Sequence, residues 1–154
     1  MKIREIMSTD VRTTTPQSPL KECLEILMKL RLNGLVVMEG DRIAGVVTKA
    51  DIFRAILPTP TDIAEDELYM KDPEYTEERI FKCLDKSAGE IMGKPAITLD
   101  ADVPIVKAGT TMILNKIKQV PVVDKDRLAG IVTLSDILGF LLKKTNGWGG
   151  GFLR

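Results

Sequence analysis

An internal repeat is the feature that most constrains how this chain can fold. When the sequence is shifted by 85 positions against itself, residues 3–57 align without gaps with residues 88–142, and 15 of the 55 positions are identical. The matched segments include Glu5-Ile6-Met7 with Glu90-Ile91-Met92, and Ala44–Thr48 with Ala129–Thr133. A unit of about 55 residues buries little apolar surface alone, so we expect the two copies to form one larger fold.

Each copy shows the same predicted order of secondary structure, a βαββα-type unit. In the first copy a short strand near Val11–Thr14 precedes a helix that opens at Ser18-Pro19 and closes at Asn33-Gly34. A hairpin over residues 35–47 follows, and then a helix from Lys49 to Leu57. We therefore predict an α+β fold in which the two units pack sheet to sheet about a pseudo-twofold axis.

The predicted organisation has four parts: repeat one at 1–57, a connection at 58–87, repeat two at 88–142 and a tail at 143–154. The connection carries nine acidic and four basic residues, net −5, and its Asp72-Pro73-Glu74 segment is typical of a helix start. The tail is rich in glycine and is predicted to be flexible, with Trp148 and Phe152 as candidate contacts for a partner or a second subunit.

Composition excludes several classes of function. The chain has no histidine, which excludes Ser-His-Asp and Cys-His catalysis and His-ligated zinc. Its two cysteines are too few for a disulfide framework, and Cys23 falls in an apolar helical pattern that predicts burial. Net charge is zero and aromatic residues are 5%, so nucleic acid is not an expected partner. No stretch is long enough to cross a membrane and the start lacks a signal pattern, so we expect a cytoplasmic protein.

The sharpest local motif is Gly45–Asp51, repeated as Gly130–Asp136. In both copies a strand ends in threonine, and a carboxylate follows three positions later. One interpretation is structural, since Thr-x-x-Asp is typical of a helix cap. The other is functional, because a helix N-terminus and a hydroxyl bind phosphate while a nearby carboxylate accepts hydrogen bonds from a ribose diol. The two interpretations are compatible, and the duplication favours the functional one.

These motifs resemble a tandem pair of cystathionine-β-synthase (CBS) domains, together called a Bateman module. The resemblance is carried by the duplicated Gly-h-h-Thr-x-x-Asp motif, where h is apolar, by the two Glu-Ile-Met segments and by Val120–Asp124. It covers about 110 of the 154 residues. It implies a regulatory, non-catalytic unit that binds AMP, ADP, ATP or S-adenosylmethionine in two clefts between the copies. It also implies a homodimer formed through the repeat helices and a separate effector protein as partner.

The resemblance assigns ligand-binding residues to each cleft. One cleft would use Thr133, Asp136, Lys118, Thr9, Asp10, Val11 and Gly34. The other would use Thr48, Asp51, Lys94, Pro95, Ala96 and Gln119. Copy two has Lys118 and Pro121 where copy one has Asn33 and Val36, so the resemblance favours the Thr133 cleft. It also favours a singly phosphorylated or adenosyl ligand over a triphosphate, with no catalytic residue, metal or other cofactor.

Two alternatives remain open at this point. A purely structural or dimerising module would use the Thr-x-x-Asp motifs only as helix caps. An enzyme could use Asp51 and Asp136 as paired carboxylates, although no nucleophile–base set accompanies them. The candidates for a dimer surface are apolar residues for which core burial is the equal alternative: Met28, Phe53, Ile56, Phe140 and Leu141.

Overall fold

The computed structural model describes residues 1–65 and 71–147 and contains the same elements twice. The strands are β1 Thr13–Thr14, β2 Gly34–Glu39, β3 Arg42–Thr48, β4 Leu99–Asp100, β5 Gln119–Asp124 and β6 Arg127–Thr133. The helices are α1 Leu20–Lys29, α2 Lys49–Ile56, α3 Pro60–Glu65, α4 Pro73–Cys83, α5 Ala88–Ile91, α6 Ile105–Asn115 and α7 Leu134–Gly147. A short 3-10 helix, Ile3–Glu5, precedes them.

Each copy of the repeat builds a three-stranded sheet. In the first sheet β1 pairs in parallel with β2, and β2 pairs antiparallel with β3. In the second sheet β4, β5 and β6 have the same arrangement, and each hairpin has an irregularity at the same place, after Val37 and after Val122. The α+β class predicted from the sequence is confirmed, with two similar sheets each accompanied by helices.

The chain forms two compact units that exchange the leading segments of the repeats. One unit comprises residues 12–96, and the other comprises residues 1–11 together with the chain from Ile97 onward. The boundaries between the units lie at residues 12 and 97, whereas the two copies of the repeat begin at residues 3 and 88. Each boundary therefore falls nine residues after the start of a copy. Each leading segment thus folds with the sheet of the other copy. We call these the repeat-one unit (residues 12–96) and the repeat-two unit (residues 1–11 with 97 onward).

Each unit has its own apolar core, and each core includes a residue from an exchanged segment. The repeat-one core contains Leu20, Cys23, Leu27, Leu35, Val37, Val47, Ile52 and Ala88. The repeat-two core contains Ile3, Leu99, Ala101, Ala108, Met112, Val120, Val122 and Val132. The buried position predicted for Cys23 is confirmed, since its exposed fraction is 0%.

The ends of helix α1 differ from the sequence prediction. Pro19 occupies the N-cap position that was predicted for Ser18, so the helix begins one residue later than predicted, and no side chain caps it. At the other end Arg31 adopts a left-handed backbone with φ 53° and Gly34 is already the first residue of β2. The equivalent Lys116 has φ 54°. The prediction that Asn33-Gly34 closes the helix was wrong, because a basic residue adopts the left-handed conformation that glycine usually takes.

The connection between the copies contains helices α3 and α4, and α4 packs against α2. Asp72 caps α4 by accepting hydrogen bonds from the backbone N–H groups of Glu74 and Tyr75, at 3.1 and 3.3 Å. Trp148 and Phe152, named above as candidate partner contacts, lie outside the described residues. In the described ranges, no helix combines the length and apolar character needed to span a membrane.

Candidate functional site

In copy two, the motif Thr133–Asp136 joins the end of β6 to the first turn of α7. The backbone N–H of Thr133 donates to Asp136 Oδ2 at 2.7 Å, and its hydroxyl donates to the same oxygen at 2.9 Å. The backbone N–H of Asp136 donates in return to Thr133 Oγ1 at 3.2 Å. Both residues are half-buried. The capping interpretation is therefore correct for this motif, and it uses only one oxygen of the carboxylate.

In copy one, Thr48 and Asp51 form the same reciprocal cap at the start of α2. The backbone N–H of Thr48 donates to Asp51 Oδ2 at 2.9 Å, and that of Asp51 donates to Thr48 Oγ1 at 3.1 Å. Here the second oxygen is also used, because Nη2 of Arg54 donates to Asp51 Oδ1 at 2.6 Å.

The two carboxylates therefore differ in what remains free to bind a ligand. Position 54 of copy one corresponds to position 139 of copy two, and that residue is glycine. Asp136 Oδ1 accepts no hydrogen bond from the residues that the structure describes. A carboxylate oxygen that is half-buried and unpaired can accept a hydroxyl hydrogen bond without first losing another partner.

Two further residues lie beside Thr133 at the end of the hairpin. The backbone carbonyl of Lys118 accepts a hydrogen bond of 3.1 Å from the N–H of Leu134, the first residue of α7, and Lys118 is exposed. Gln119 is the cross-strand partner of Thr133, so the two side chains share one face of the sheet. Gln119 is only 8% exposed, and its Nε2 has no hydrogen-bond partner in the described part of the chain.

An unpaired buried amide is costly, so Gln119 is an unusual residue at this position. Burial without a partner costs about 1–3 kcal/mol. The corresponding residue of copy one is Gly34, which pairs with Thr48 and has no side chain to satisfy.

The motif glycines admit the exchanged leading segments. A Cβ on Gly130 would lie 2.7 Å from both the Ser8 carbonyl oxygen and Met7 Sδ. A Cβ on Gly45 would lie 2.7 Å from the Gly93 carbonyl oxygen and from Met92 Sδ. Glycine is needed at both positions because another backbone approaches this closely. The neighbour at both positions is a segment of the chain.

This packing joins the segments that contain other predicted site residues to the motif strands. Ser8 pairs with Ile131, so Thr9, Asp10 and Val11 follow directly from a contact two residues before Thr133. Gly93 pairs with Val46, so Lys94, Pro95 and Ala96 follow from the matching contact two residues before Thr48. The repeat-two unit thus contains Thr133, Asp136, Lys118 and Thr9–Val11, and their assignment to one cleft remains a prediction.

Gly34 and Gln119 are placed differently from the rest of their predicted groups. Gly34 was grouped with Thr133 but pairs with Thr48 in the repeat-one unit. Gln119 was grouped with Thr48 but pairs with Thr133 in the repeat-two unit. Their assignment to the opposite motif remains a prediction, while their cross-strand neighbours are those of their own copy.

Ion pairs hold the leading segment 1–11 in place. Arg4 Nε and Lys2 Nζ lie 2.9 and 3.0 Å from Asp102 Oδ1, and Arg4 Nη1 lies 3.4 Å from Asp124 Oδ2. Hydrogen bonds from Arg4, the larger cause, and from Lys2 lower the pKa of Asp102 to about 2. The same pairing raises the pKa of Arg4. These charges reinforce the segment that leads to Thr9.

Sequence reasoning missed one residue at the motif, Arg54. Its position three residues after Asp51 on a helix was the available signal, because such pairs meet on the helix surface. The backbone bond between Ser8 and Ile131 had no local signal, since the residues are far apart in the chain.

Comparison with known proteins agrees with this architecture. The family model described as CBS domain matches residues 3–58 and 88–143. An uncharacterized protein of Methanocaldococcus jannaschii is 28% identical over 156 residues, with 92% of each chain covered.

Solved structures of similar fold include proteins crystallised with adenosine compounds. One is the CBS domain pair of protein MJ0100 in complex with 5′-methylthioadenosine and S-adenosyl-L-methionine, at 25% identity and a TM-score of 0.68. That match covers 94% of this chain and 98% of the other. Another is CBSX2 in complex with AMP, at 21% identity and a TM-score of 0.69, with the same coverage. Because CBSX2 is only 21% identical to this chain, its likeness supports the fold alone.

Proposed function

The chain belongs to the CBS domain family as a tandem pair of repeats, and on that premise we propose that it is a regulatory module that binds an adenosyl ligand. The favoured site is the Thr133–Asp136 motif. The ligand classes are AMP, ADP, ATP and S-adenosylmethionine, with a singly phosphorylated or adenosyl ligand preferred over a triphosphate.

One pair of observations carries this proposal: Asp136 keeps an oxygen free, and the buried amide of Gln119, the cross-strand neighbour of Thr133, lacks a partner among the described residues. Asp136 Oδ2 holds the cap, and Oδ1 is unpaired among the described residues. The Nε2 group of Gln119 is buried and unpaired on the strand next to Thr133. A ribose hydroxyl donates to a carboxylate, and an adenosyl ligand offers acceptors to an amide N–H. One class of ligand therefore offers hydrogen-bonding groups of the kind that each of them lacks.

Positive charge and a helix N-terminus support a phosphate at the same place. Among the first three residues of α7, Leu134 and Asp136 already donate their N–H groups to Lys118 and Thr133. The N–H of Ser135 remains for a phosphate, and the exposed Lys118 is bonded to this helix start. In copy one the equivalent position is Asn33, which is neutral. The structure with 5′-methylthioadenosine and S-adenosyl-L-methionine is a relative at 25% identity, and it supports adenosine as the shared part of the ligand.

A regulatory role fits better than catalysis. CBS domain proteins are generally regulatory modules. Asp51 and Asp136 belong to different compact units, and each holds the cap of its own helix. The described residues contain no group of His, Cys, Asp and Glu that could hold a metal ion. We propose that ligand binding is reported to a separate effector protein.

Calorimetry with AMP, ADP, ATP and S-adenosylmethionine tests the proposal. We expect saturable binding, and Asp136→Ala should weaken it by at least about tenfold, because a charged hydrogen bond to the ligand is lost. Asp62→Ala is the matched control, since Asp62 forms the same reciprocal cap with Thr59, at 2.8 and 3.1 Å, outside both motifs. A thermal-shift series run in parallel separates loss of binding from loss of folding.

Two results would contradict the proposed function. The first is the absence of both heat and thermal shift with every adenosyl compound. The second is an Asp136→Ala variant that binds as tightly as the wild type. Turnover of a nucleotide that stops in Asp136→Asn would instead favour the enzymatic alternative.

We also propose that the module forms a homodimer through helices α6 and α7. Apolar residues on these helices are strongly exposed: Val106 80%, Ile113 76%, Leu114 76%, Leu138 62% and Leu141 51%. Of the predicted dimer candidates, Met28 and Phe53 are also exposed, whereas Ile56 packs against the repeat-one core. An exposed apolar patch of this kind is typical of an interface.

Light scattering after size exclusion tests the dimer. Ile113→Asp should yield monomers, because a charge would be buried at the interface. Phe81→Asp is the control, since Phe81 is 64% exposed but lies on α4. Monomers in the wild type, or dimers in Ile113→Asp, would overturn this part of the proposal.

A further inference from the structure

The two motif carboxylates have the same cap but different second partners. Asp51 Oδ1 accepts a 2.6 Å hydrogen bond from Arg54, one turn further along α2. The corresponding residue on α7 is Gly139, and no other described residue replaces the guanidinium at Asp136 Oδ1. At the second carboxylate oxygen, the copies therefore differ by the side chain at one position, 54 in copy one and 139 in copy two.

A ribose diol needs the carboxylate oxygen that Arg54 holds. In both copies Oδ2 accepts the backbone N–H of the threonine, so Oδ1 is the oxygen with free capacity. In copy one a ligand hydroxyl must either displace the guanidinium or share the oxygen with it. A carboxylate oxygen has two lone pairs, so sharing weakens the contact without abolishing it.

We propose that Arg54 is a specificity-determining residue that competes with the ligand for Asp51 and makes the Thr48–Asp51 site weaker than the Thr133–Asp136 site. This inference rests on the proposed function, because it requires that the motifs bind an adenosyl ligand. It assigns the inequality of the two sites to a side chain outside the Thr-x-x-Asp motif.

The exposure of Arg54 and Asp51 determines how strongly their ion pair can weaken ligand binding. The Arg54 side chain is 71% exposed and that of Asp51 is 18% exposed, so the guanidinium remains largely hydrated. An exposed ion pair of this kind changes an equilibrium by about two- to fivefold. Salt screens such a pair, so the effect should shrink as ionic strength rises.

Isothermal titration of Asp136→Ala with and without Arg54→Ala tests the competition. The Asp136→Ala background weakens the copy-two site, so the copy-one site dominates the signal. We expect Arg54→Ala to tighten binding of adenosine by about two- to fivefold. Adenosine is the main probe because it has the ribose diol and no phosphate. AMP is the second probe and reports any attraction between Arg54 and the phosphate.

The reciprocal change tests the same idea in copy two. Gly139→Arg in an Asp51→Ala background should weaken adenosine binding by about two- to fivefold. The substitution fits the structure, because a Cβ built at Gly139 meets no atom within 4 Å. The control in both backgrounds is Arg42→Ala, which removes an exposed arginine bonded to Glu39 at 2.8 Å, away from either motif.

Several outcomes would overturn the inference. Adenosine binding that is unchanged or weaker in Arg54→Ala shows that Arg54 does not compete. Binding that is absent both with and without Arg54 shows that another feature closes the copy-one site. An unaltered affinity in Gly139→Arg shows that an arginine at this position does not compete with the ligand in copy two. These outcomes differ from a failure of the proposed function, because in that case the wild-type protein would bind neither adenosine nor AMP.

Discussion

Ser8 and Ile131 exchange two backbone hydrogen bonds of 2.9 Å. This pair anchors the leading segment of copy one on the last strand of copy two, and Gly93 with Val46 forms the corresponding pair, at 3.0 and 3.2 Å. The exchange explains why a glycine occurs in each motif, since the two backbones meet at Gly130 and Gly45.

Gly130→Ala should therefore destabilise the protein. The new methyl group would lie 2.7 Å from the Ser8 carbonyl oxygen, a backbone atom held by its bond to Ile131. We expect a loss of about 1–3 kcal/mol in the free energy of unfolding, the usual cost of overpacking. Urea denaturation measures it. An unchanged midpoint would show that the leading segment is not held against this strand.

Gly139→Ala should have the opposite effect. Gly139 lies inside α7, and a Cβ there meets no atom within 4 Å. Alanine is favoured over glycine within a helix by about 1 kcal/mol, so we expect a gain of roughly that size. The same urea series measures it. A decrease in stability would mean that the space beside Gly139 is occupied in solution.

Acid should weaken the anchoring of the leading segment through Asp102. Hydrogen bonds from Arg4 and Lys2 lower its pKa from 3.8 to about 2 in the folded protein. The stabilisation is therefore complete above about pH 4 and is lost as the pH falls towards 2. Thermal unfolding measured across this range should show it, and Asp102→Asn should remove that part of the slope.

Arg4→Gln provides a complementary test of the same ion pair. It removes the largest cause of the lowered pKa, so the acid-dependent loss should be smaller and should end at a higher pH than in the wild type. A slope that is identical in the wild type, Asp102→Asn and Arg4→Gln would contradict the assignment to this pair.

The two cysteines should differ in reactivity. Cys23 is fully buried, and burial raises the pKa of its thiol, whereas Cys83 is only half-buried. Since the thiolate is the reactive form, a disulfide reagent should modify Cys83 first and Cys23 only after unfolding. Mass spectrometry of the native protein and of Cys83→Ser measures this. Rapid modification of native Cys83→Ser would show that the repeat-one core opens readily.

The repeat made most of the fold predictable from sequence. The hairpins around Val37 and Val122 follow from two apolar runs separated by turn residues, and these patterns depend on local chemistry. The start of α2 was equally predictable because Thr48 and Asp51 form a cap within four residues. The end of α1 was not, since Arg31 has no local signal for a left-handed backbone.

The candidate site divides in the same way. Thr133 and Asp136 were predicted because their contacts are made within one turn of chain. The unpaired amide of Gln119 could not be predicted, because whether a polar side chain finds a partner depends on everything packed around it. The role of Arg54 lies between these cases. Its spacing of three residues from Asp51 can be read from the sequence, but the sequence does not show that Asp51 is its partner.

The sequence by itself thus determined the duplication, the α+β class and the two capped motifs, since all of these arise from short-range pattern and hydrogen bonding. Only the tertiary structure decided that each leading segment folds with the other copy's sheet, and that Asp136 keeps a free oxygen while Asp51 does not. Both facts depend on contacts between atoms of specific shape and charge, and equivalent residues in two repeats meet different neighbours.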